Sequence, residues 1–318
     1  MADENLFGKG GLLRAETFSG RVLGMCRLFG MTAAPQRVRA TFWLLDAADS
    51  LAVQSRREPD GVGLGTFRPD GTPEVHKAPI AAYQDPDFAR EARELQAATF
   101  IAHIRYASTG GLTPANTHPF DQHDRLLAHN GVIGDLPRLE HHLGAAMSLV
   151  HGDTDSERLF ALITTYAEQT GDVTEAITRA VRWTAANLPV YAINLVLTTA
   201  TDLWALRYPE THELYVLPRA AGGPHGDRHL DHASAAGTIR VRSAELATTP
   251  AVVVASERMD EDPGWRPLQP GELLHVGPDQ RVRHEIALPE PPAHPLTLAD
   301  LDAHAQASQK PARPEAAA

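Results

Sequence analysis

The chain has a single cysteine, Cys26, and it stands directly behind Met25 in the string MCRLFG. Translation from Met25, followed by trimming of that methionine, makes Cys26 residue one. It then carries a thiol and a free α-amine on one short carbon skeleton. A thiol ionises near ~8.5 and an α-amine near ~8, so both exchange protons close to neutral pH. The amine can take the thiol proton, directly or through one water, and return it to a leaving group. One residue thus supplies nucleophile and base. The plainer role of a lone cysteine is a small buried hydrophobe.

Other residues downstream bear on that chemistry. Arg105 ends an apolar strand on the same face as Ile101 and His103. A guanidinium there calls for an anion, and its planar fork suits a carboxylate; the plain alternative is a strand-end arginine reaching water. Ser108-Thr109-Gly110-Gly111 follows, then Asn116-Thr117-His118-Pro119-Phe120 and His129-Asn130-Gly131. An Asn-Gly pair ordinarily makes a hairpin turn. Its chemical alternative is that the Asn130 amide and the Gly131 N–H aim at one point, as a tetrahedral oxyanion requires. Gly152-Asp153-Thr154-Asp155-Ser156-Glu157 opens a helix with three acids. Capping and helix-dipole compensation account for part of that charge, and a remaining aspartate can hold an ammonium group.

The elements that must position these residues read as mixed α and β. Strands are predicted at Cys26–Thr32, Val62–Arg68, Thr99–Tyr106, Arg125–His129, Ala192–Thr199, Leu203–Tyr208, Leu214–Leu217, Ala251–Ser256 and Leu273–Val276. Asn194–Thr199 and Leu203–Tyr208 form a hairpin across Ala200-Thr201-Asp202. Helical spacing of apolar residues predicts helices over Gln36–Arg56, Pro86–Ala98 and Asp172–Asn187. Thr154-Asp155-Ser156-Glu157 has capping-box form and starts another. Many antiparallel strands with helices between them imply sheets covered by helices.

Composition bounds the function. The 318 residues suffice for a large core, with about 75% of the unfolded surface buried. The net charge of −11 disfavours nucleic acid or an anionic membrane as partner. One cysteine excludes an internal disulfide and fits a reducing, cytoplasmic setting. No apolar run reaches membrane-spanning length. The sixteen histidines include His141-His142 and the run His225, His229, His232. Adjacent helical histidines diverge and no His-Glu-x-x-His element occurs, so they read as surface residues rather than metal ligands. Residues 1–25 start acidic and lack an apolar stretch, unlike a secretory signal. They are either a pro-segment or the product of an upstream start codon, and Met25 ahead of Cys26 favours the latter. Residues 289–318 are Pro/Ala-rich; only Leu296–Gln306 looks helical, and the remainder is expected to be largely disordered.

Together these strings resemble the class II glutamine amidotransferases of the N-terminal-nucleophile hydrolase superfamily. The matching elements stand in family order: MCRLFG, PDGVGLG with Asp60-Gly61, HIRYASTGG (103–111), NTHPF (116–120), HNG (129–131) and GDTDSE (152–157). VASERMDEDPGW (254–265) is similar to a late strand-and-loop segment of the stand-alone members. The resemblance spans residues 26–288, which it marks as an amidotransferase domain. It implies an α+β, four-layer αββα sandwich. It also implies Cys26 as nucleophile, Arg105 on the substrate α-carboxylate and Asp155 on the α-ammonium. It further implies that Asn130 and Gly131 form the oxyanion hole and that Ser108, Thr109 and His118 line the glutamine pocket. Val62 departs from the aromatic that many stand-alone members carry after Asp-Gly, and residues 1–25 would block catalysis if retained. No fused synthetase, sugar isomerase or phosphoribosyltransferase domain, P-loop or dinucleotide motif is evident. The short members include hydrolases of γ-glutamyl amides, such as that of ergothioneine synthesis. The expectation is therefore hydrolysis of a small γ-glutamyl amide, without metal or organic cofactor. The rivals are an ammonia-supplying glutaminase subunit for a separate synthase and a non-catalytic glutamine sensor.

Overall fold

A computed structural model of the chain describes residues 26–56, 60–105, 111–223, 231–233, 240–242 and 244–309. The strands are β1 (Arg27–Thr32), β2 (Gly61–Phe67), β3 (Pro73–Ala78), β4 (Thr99–Arg105), β5 (Phe120–Gln122), β6 (Arg125–Ile133), β7 (Pro189–Thr198) and β8 (Leu203–Leu206). They continue with β9 (Tyr215–Arg219), β10 (Asp231–Ala233), β11 (Arg240–Arg242), β12 (Ala251–Ala255), β13 (Arg266–Pro267), β14 (Glu272–Val276), β15 (Val282–Ile286) and β16 (His294–Pro295). The α-helices are α1 (Leu51–Gln54), α2 (Pro86–Glu94), α3 (Leu136–Leu143), α4 (Asp155–Thr170), α5 (Val173–Asn187) and α6 (Ala303–Gln309).

Two sheets result. The first runs β13-β9-β12-β1-β4-β2-β3, and the second β15-β14-β8-β7-β6-β5 with β16 beside β7. Every strand pair in them is antiparallel except β16 with β7. Side-chain alternation sorts each strand between two environments. Phe29, Met31, Phe100, Ala102 and Ile104 face outward onto Trp43, Phe88 and Ala92. Leu28, Ile101, Leu126, Ala128, Val196 and Val254 fill the space between the sheets. On the far side, Leu127, Ile193 and Leu195 pack against Phe160, Ile163, Ile177 and Val181 of α4 and α5. The order of layers is helix, sheet, sheet, helix, the expected αββα sandwich.

The two long helices start where their caps predict. Thr154 accepts from the Glu157 N–H at 3.2 Å, and Asp172 accepts from the N–H groups of Thr174 and Glu175. The expected hairpin joins β7 and β8, with Thr198 opposite Leu203.

Three expectations need correction. Gln36–Arg56 is not one helix. Val38 and Ala97 exchange two backbone hydrogen bonds, which extends the chain there. A π-turn follows at Phe42–Asp46, and Ser50 then caps the separate helix α1. Strand β6 runs four residues past His129, through Asn130-Gly131, so this pair makes no hairpin turn. Of the tail expected to be largely disordered outside a helical Leu296–Gln306, residues 290–309 form β16, a 3-10 turn at Leu298–Asp300 and α6, and residues 310–318 lie outside the described residues. Leu301 and Ala305 are buried with Val132, Tyr191 and Ala192, and that apolar contact holds α6 on the body. Residues 1–25 lie outside the described residues.

Candidate active site

One end of the space between the sheets is a polar cavity. Cys26, His103, Arg105, Asn116, His118, His129, Asn130, Gly131, Thr154, Asp155, Ser156 and Gln309 line it. Six residues singled out in the sequence therefore meet: Cys26, Arg105, His118, Asn130, Gly131 and Asp155. Ser108 and Thr109 lie outside the described residues.

Strand alternation explains most of this convergence. Cys26 extends the inner face of β1 beyond Leu28, and it is buried at 7% exposure. His103 and Arg105 continue the inner face of β4 beyond Ile101. The β1–β4 register pairs Leu28 with His103 and Arg27 with Ile104, which carries Cys26 toward Arg105. Asn130 continues the face of Leu126 and Ala128 on β6. Its Nδ2 donates to the Cys26 carbonyl oxygen at 2.8 Å, tying the second sheet to the start of the first. An amide nitrogen has two N–H groups, so this bond leaves one for the cavity.

Gly131 is required where it stands. A Cβ there would lie 1.8 Å from the Ala192 carbonyl oxygen and 2.8 Å from His129 Nε2. The same holds for Gly63, whose Cβ would lie 1.8 Å from the His118 carbonyl oxygen. Only glycine permits these close backbone approaches.

The acidic string divides its work. The Asp153 N–H donates to Asn116 Oδ1 at 2.8 Å, and Asn116 Nδ2 donates to the Gly111 carbonyl that also accepts from Arg105 Nη1 at 3.0 Å. Glu157 accepts from the Gly152 N–H at 2.6 Å. Asp155 is the acid that lines the cavity. Its Oδ2 accepts from the Ile133 N–H at 2.9 Å, and its Oδ1 accepts from the Ser156 N–H and hydroxyl. A carboxylate offers about four acceptor sites, so three bonds fix its orientation without exhausting it.

Charge in the cavity is set by burial. Desolvation pulls Arg105 below its usual range, while Cys26 and Asp60 oppose the shift. Burial, then Arg105 and His129, depress His103 to about 3. His118 is held well below its ordinary value by burial and by the neighbouring basic groups. Burial also lowers His129, with Asp155 pulling the other way. Three neutral imidazoles thus surround one guanidinium and one carboxylate. The rings of His103 and His118 lie 4.2 Å apart, and among the described residues none of their four nitrogens has a hydrogen-bond partner.

The strand carrying Cys26 is clamped by residues the sequence reading left without a role. Arg27, 1% exposed, pairs with Glu257 at 2.8 Å. Leu28 and Ser256 exchange two hydrogen bonds, each at 3.1 Å. Both partners belong to the late string VASER.

Residues 25–292 match the family of class-II glutamine amidotransferases. The chain belongs to that family. It is accordingly an enzyme of the N-terminal-nucleophile fold. The glutamine–fructose-6-phosphate aminotransferase of Idiomarina loihiensis is 37% identical over 50% of this chain and 25% of that protein. The chain spans only 14 to 25% of the first such relatives. The gamma-glutamyl-hercynylcysteine sulfoxide hydrolase of Mycolicibacterium smegmatis is 27% identical over 83% of this chain and 100% of that one. A class-II glutamine aminotransferase domain protein from Silicibacter pomeroyi shares the fold. Its TM-score is 0.54 at 19% identity, over 83% of this chain and 100% of that one.

Within this class-II amidotransferase, His103, Asn116, His129, Thr154, Ser156 and Gln309 are cavity residues that the sequence reading did not assign. Alternation along β4 was a usable signal for His103. Nothing near Gln309 in the sequence marks it. Among the described residues, no three His, Cys, Asp or Glu side chains are placed to hold a metal ion. His141 and His142 are exposed, whereas His225, His229 and the side chain of His232 lie outside the described residues. No described helix is long and apolar enough to cross a membrane.

Proposed function

We propose that the chain hydrolyses the side-chain amide of glutamine or of a larger γ-glutamyl conjugate, with Cys26 as the first residue of the active form. The convergence of Cys26, Arg105, Asn130, Gly131 and Asp155 on one cavity carries this reading. The end-to-end likeness to a γ-glutamyl hydrolase supports it.

Arg105 binds the substrate α-carboxylate and Asp155 the α-ammonium, which orients the γ-amide toward the thiol. The Cys26 α-amine takes the thiol proton as sulfur attacks the amide carbon. The oxyanion that forms is held by the second N–H of the Asn130 amide and the backbone N–H of Gly131. Collapse passes the proton to the departing ammonia or amine and leaves a thioester. Water, deprotonated by the same amine, then attacks the thioester and releases glutamate. Neutral His103 and His118 add polar surface without a charge that would compete with Arg105.

The test is protein beginning at Cys26, assayed against a panel of γ-glutamyl amides with Cys26→Ala as control. Turnover by the parent and none by a folded Cys26→Ala variant is expected. Near-parental activity in the variant would eliminate the thioester route.

A further inference from the structure

The chain's own C-terminal segment reaches into the cavity. Gln309, the last residue of α6, is 5% exposed and shares the cavity with Cys26, Arg105, Asn130 and Asp155. Its Oε1 lies 2.5 Å from His212 Nε2. Burial holds His212 to about 4, so its ring is neutral and donates from Nε2 to that oxygen. The latch is rigid. The His212 carbonyl accepts from Asn194 Nδ2 and from Arg207 Nε, and its ring meets Tyr191 edge-on at 5.4 Å.

The helix that delivers Gln309 sits on the oxyanion strand. Leu301 and Ala305 pack on Val132, the residue after Gly131, and on Tyr191 and Ala192 of β7. Tyr191 is the extra residue of a bulge, since Val132 pairs with Ala192 and Ile133 with Val190. Bulges re-aim a side chain locally, and this one turns Tyr191 toward α6. Upstream, the Leu296 N–H donates to the Val190 carbonyl at 2.8 Å.

Gln309 lies in the cavity among the residues proposed to take the α-carboxylate, the α-ammonium and the γ-amide, so a γ-glutamyl group competes with it for that space. The Gln309 side chain ends in a primary carboxamide, the group that terminates glutamine itself.

We infer that Gln309 is an intramolecular occupant of the γ-glutamyl site, a carboxamide held by His212 that substrate must displace together with the end of α6. The ligand class rests on the function proposed above; the place of Gln309 in the cavity does not. An occupant present nine-tenths of the time raises the apparent dissociation constant of a competitor about tenfold.

Because Cys26 is the only cysteine, its alkylation by iodoacetamide reports access to the cavity without any assay of turnover. The experiment compares the chain beginning at Cys26 and running through Ala318 with its Gln309→Ala variant, which removes the carboxamide, and its Ala305→Arg variant, which puts a cation into the apolar seat of α6. Both variants are expected to be alkylated about tenfold faster, with KM for glutamine or a γ-glutamyl amide lower by a similar factor. Faster alkylation without turnover of any γ-glutamyl amide would keep the plug and remove the hydrolase reading. Turnover with unchanged alkylation and unchanged KM in both variants would overturn the plug alone. A higher KM in Gln309→Ala without faster alkylation would also overturn it, by making Gln309 a substrate contact.

Discussion

Three strands carry an apolar core and a polar site on the same face. On β1 that face holds Leu28 and then Cys26; on β4, Ile101 and then His103 and Arg105; on β6, Leu126 and Ala128 and then Asn130. Alternation decides which residues point between the sheets. Position along the strand decides whether they meet packed hydrocarbon or a cavity. At the apolar end, side chains from both sheets interdigitate: a Cβ on Gly65 would lie 2.7 Å from Leu126 Cδ1, and one on Gly30 would lie 2.7 Å from Val196 Cγ1. At the polar end, Gly63 and Gly131 press backbone against backbone, and charged or hydrogen-bonding groups fill what remains. One end should therefore govern stability, and the other turnover.

The largest effect is expected at Arg105. Removing one partner from a desolvated charge clamp costs about 2–5 kcal/mol, so Arg105→Ala should cut kcat/KM for γ-glutamyl substrates severely. Wild type should also reject a substrate lacking the α-carboxylate, and the variant should discriminate much less. Equal discrimination by both would make Arg105 a structural residue.

Asn130→Ala should lower kcat by ~10²–10³ through loss of one oxyanion donor. The variant also loses the bond to the Cys26 carbonyl, so kcat must be normalised to sites titrated with a thiol-directed glutamine analogue. A normalised kcat equal to wild type would remove Asn130 from the mechanism. The test now separates catalysis from anchoring of Cys26 rather than from a turn, because Asn130 lies inside β6.

The opposite end supplies the reciprocal experiment. Leu126 is fully buried between the sheets, and Leu126→Ala should cost about 3 kcal/mol of unfolding free energy. Turnover per titrated site should stay near the parental value. A large fall in that value would show that the two ends are not separable.

The smallest effect is expected from acid. His103 is depressed to about 3 and His118 well below its ordinary value, so the folded protein keeps both neutral while the unfolded chain protonates them near pH 6.5. Their contribution is complete above pH 6.5 and is lost as pH falls below it. His103 should remove about 2 kcal/mol between pH 6.5 and 5, and His118 acts in the same direction. Denaturant unfolding at those two pH values, in wild type and His103→Gln, measures it. An equal loss in both proteins would mean that His103 is not the source.

Much of this arrangement was legible in the residues. The alternation of Thr99–Arg105 placed Arg105 apart from Phe100, Ala102 and Ile104, and the Thr154 cap marked the start of α4. The Asn130-Gly131 pair misleads because its turn preference is local, whereas the Ala192 carbonyl that demands Gly131 comes from another strand. The helical spacing over Gln36–Arg56 misleads likewise, since Ala97 captures Val38 into a bridge. Strands β3 and β15 escaped detection because they are half-exposed edges rich in Glu, His, Lys and Arg.

By itself the sequence determined the order of the motifs, the faces of the strands and the family. Those follow from local periodicity and from residue types at short spacing. Tertiary structure alone decided which histidines stay neutral, what anchors Cys26 and that Gln309 reaches the cavity. Asn130 is 104 residues from Cys26, and Gln309 is 97 from His212. Burial and hydrogen bonding across such separations depend on how the two sheets and the C-terminal helix pack together, and no local pattern records that.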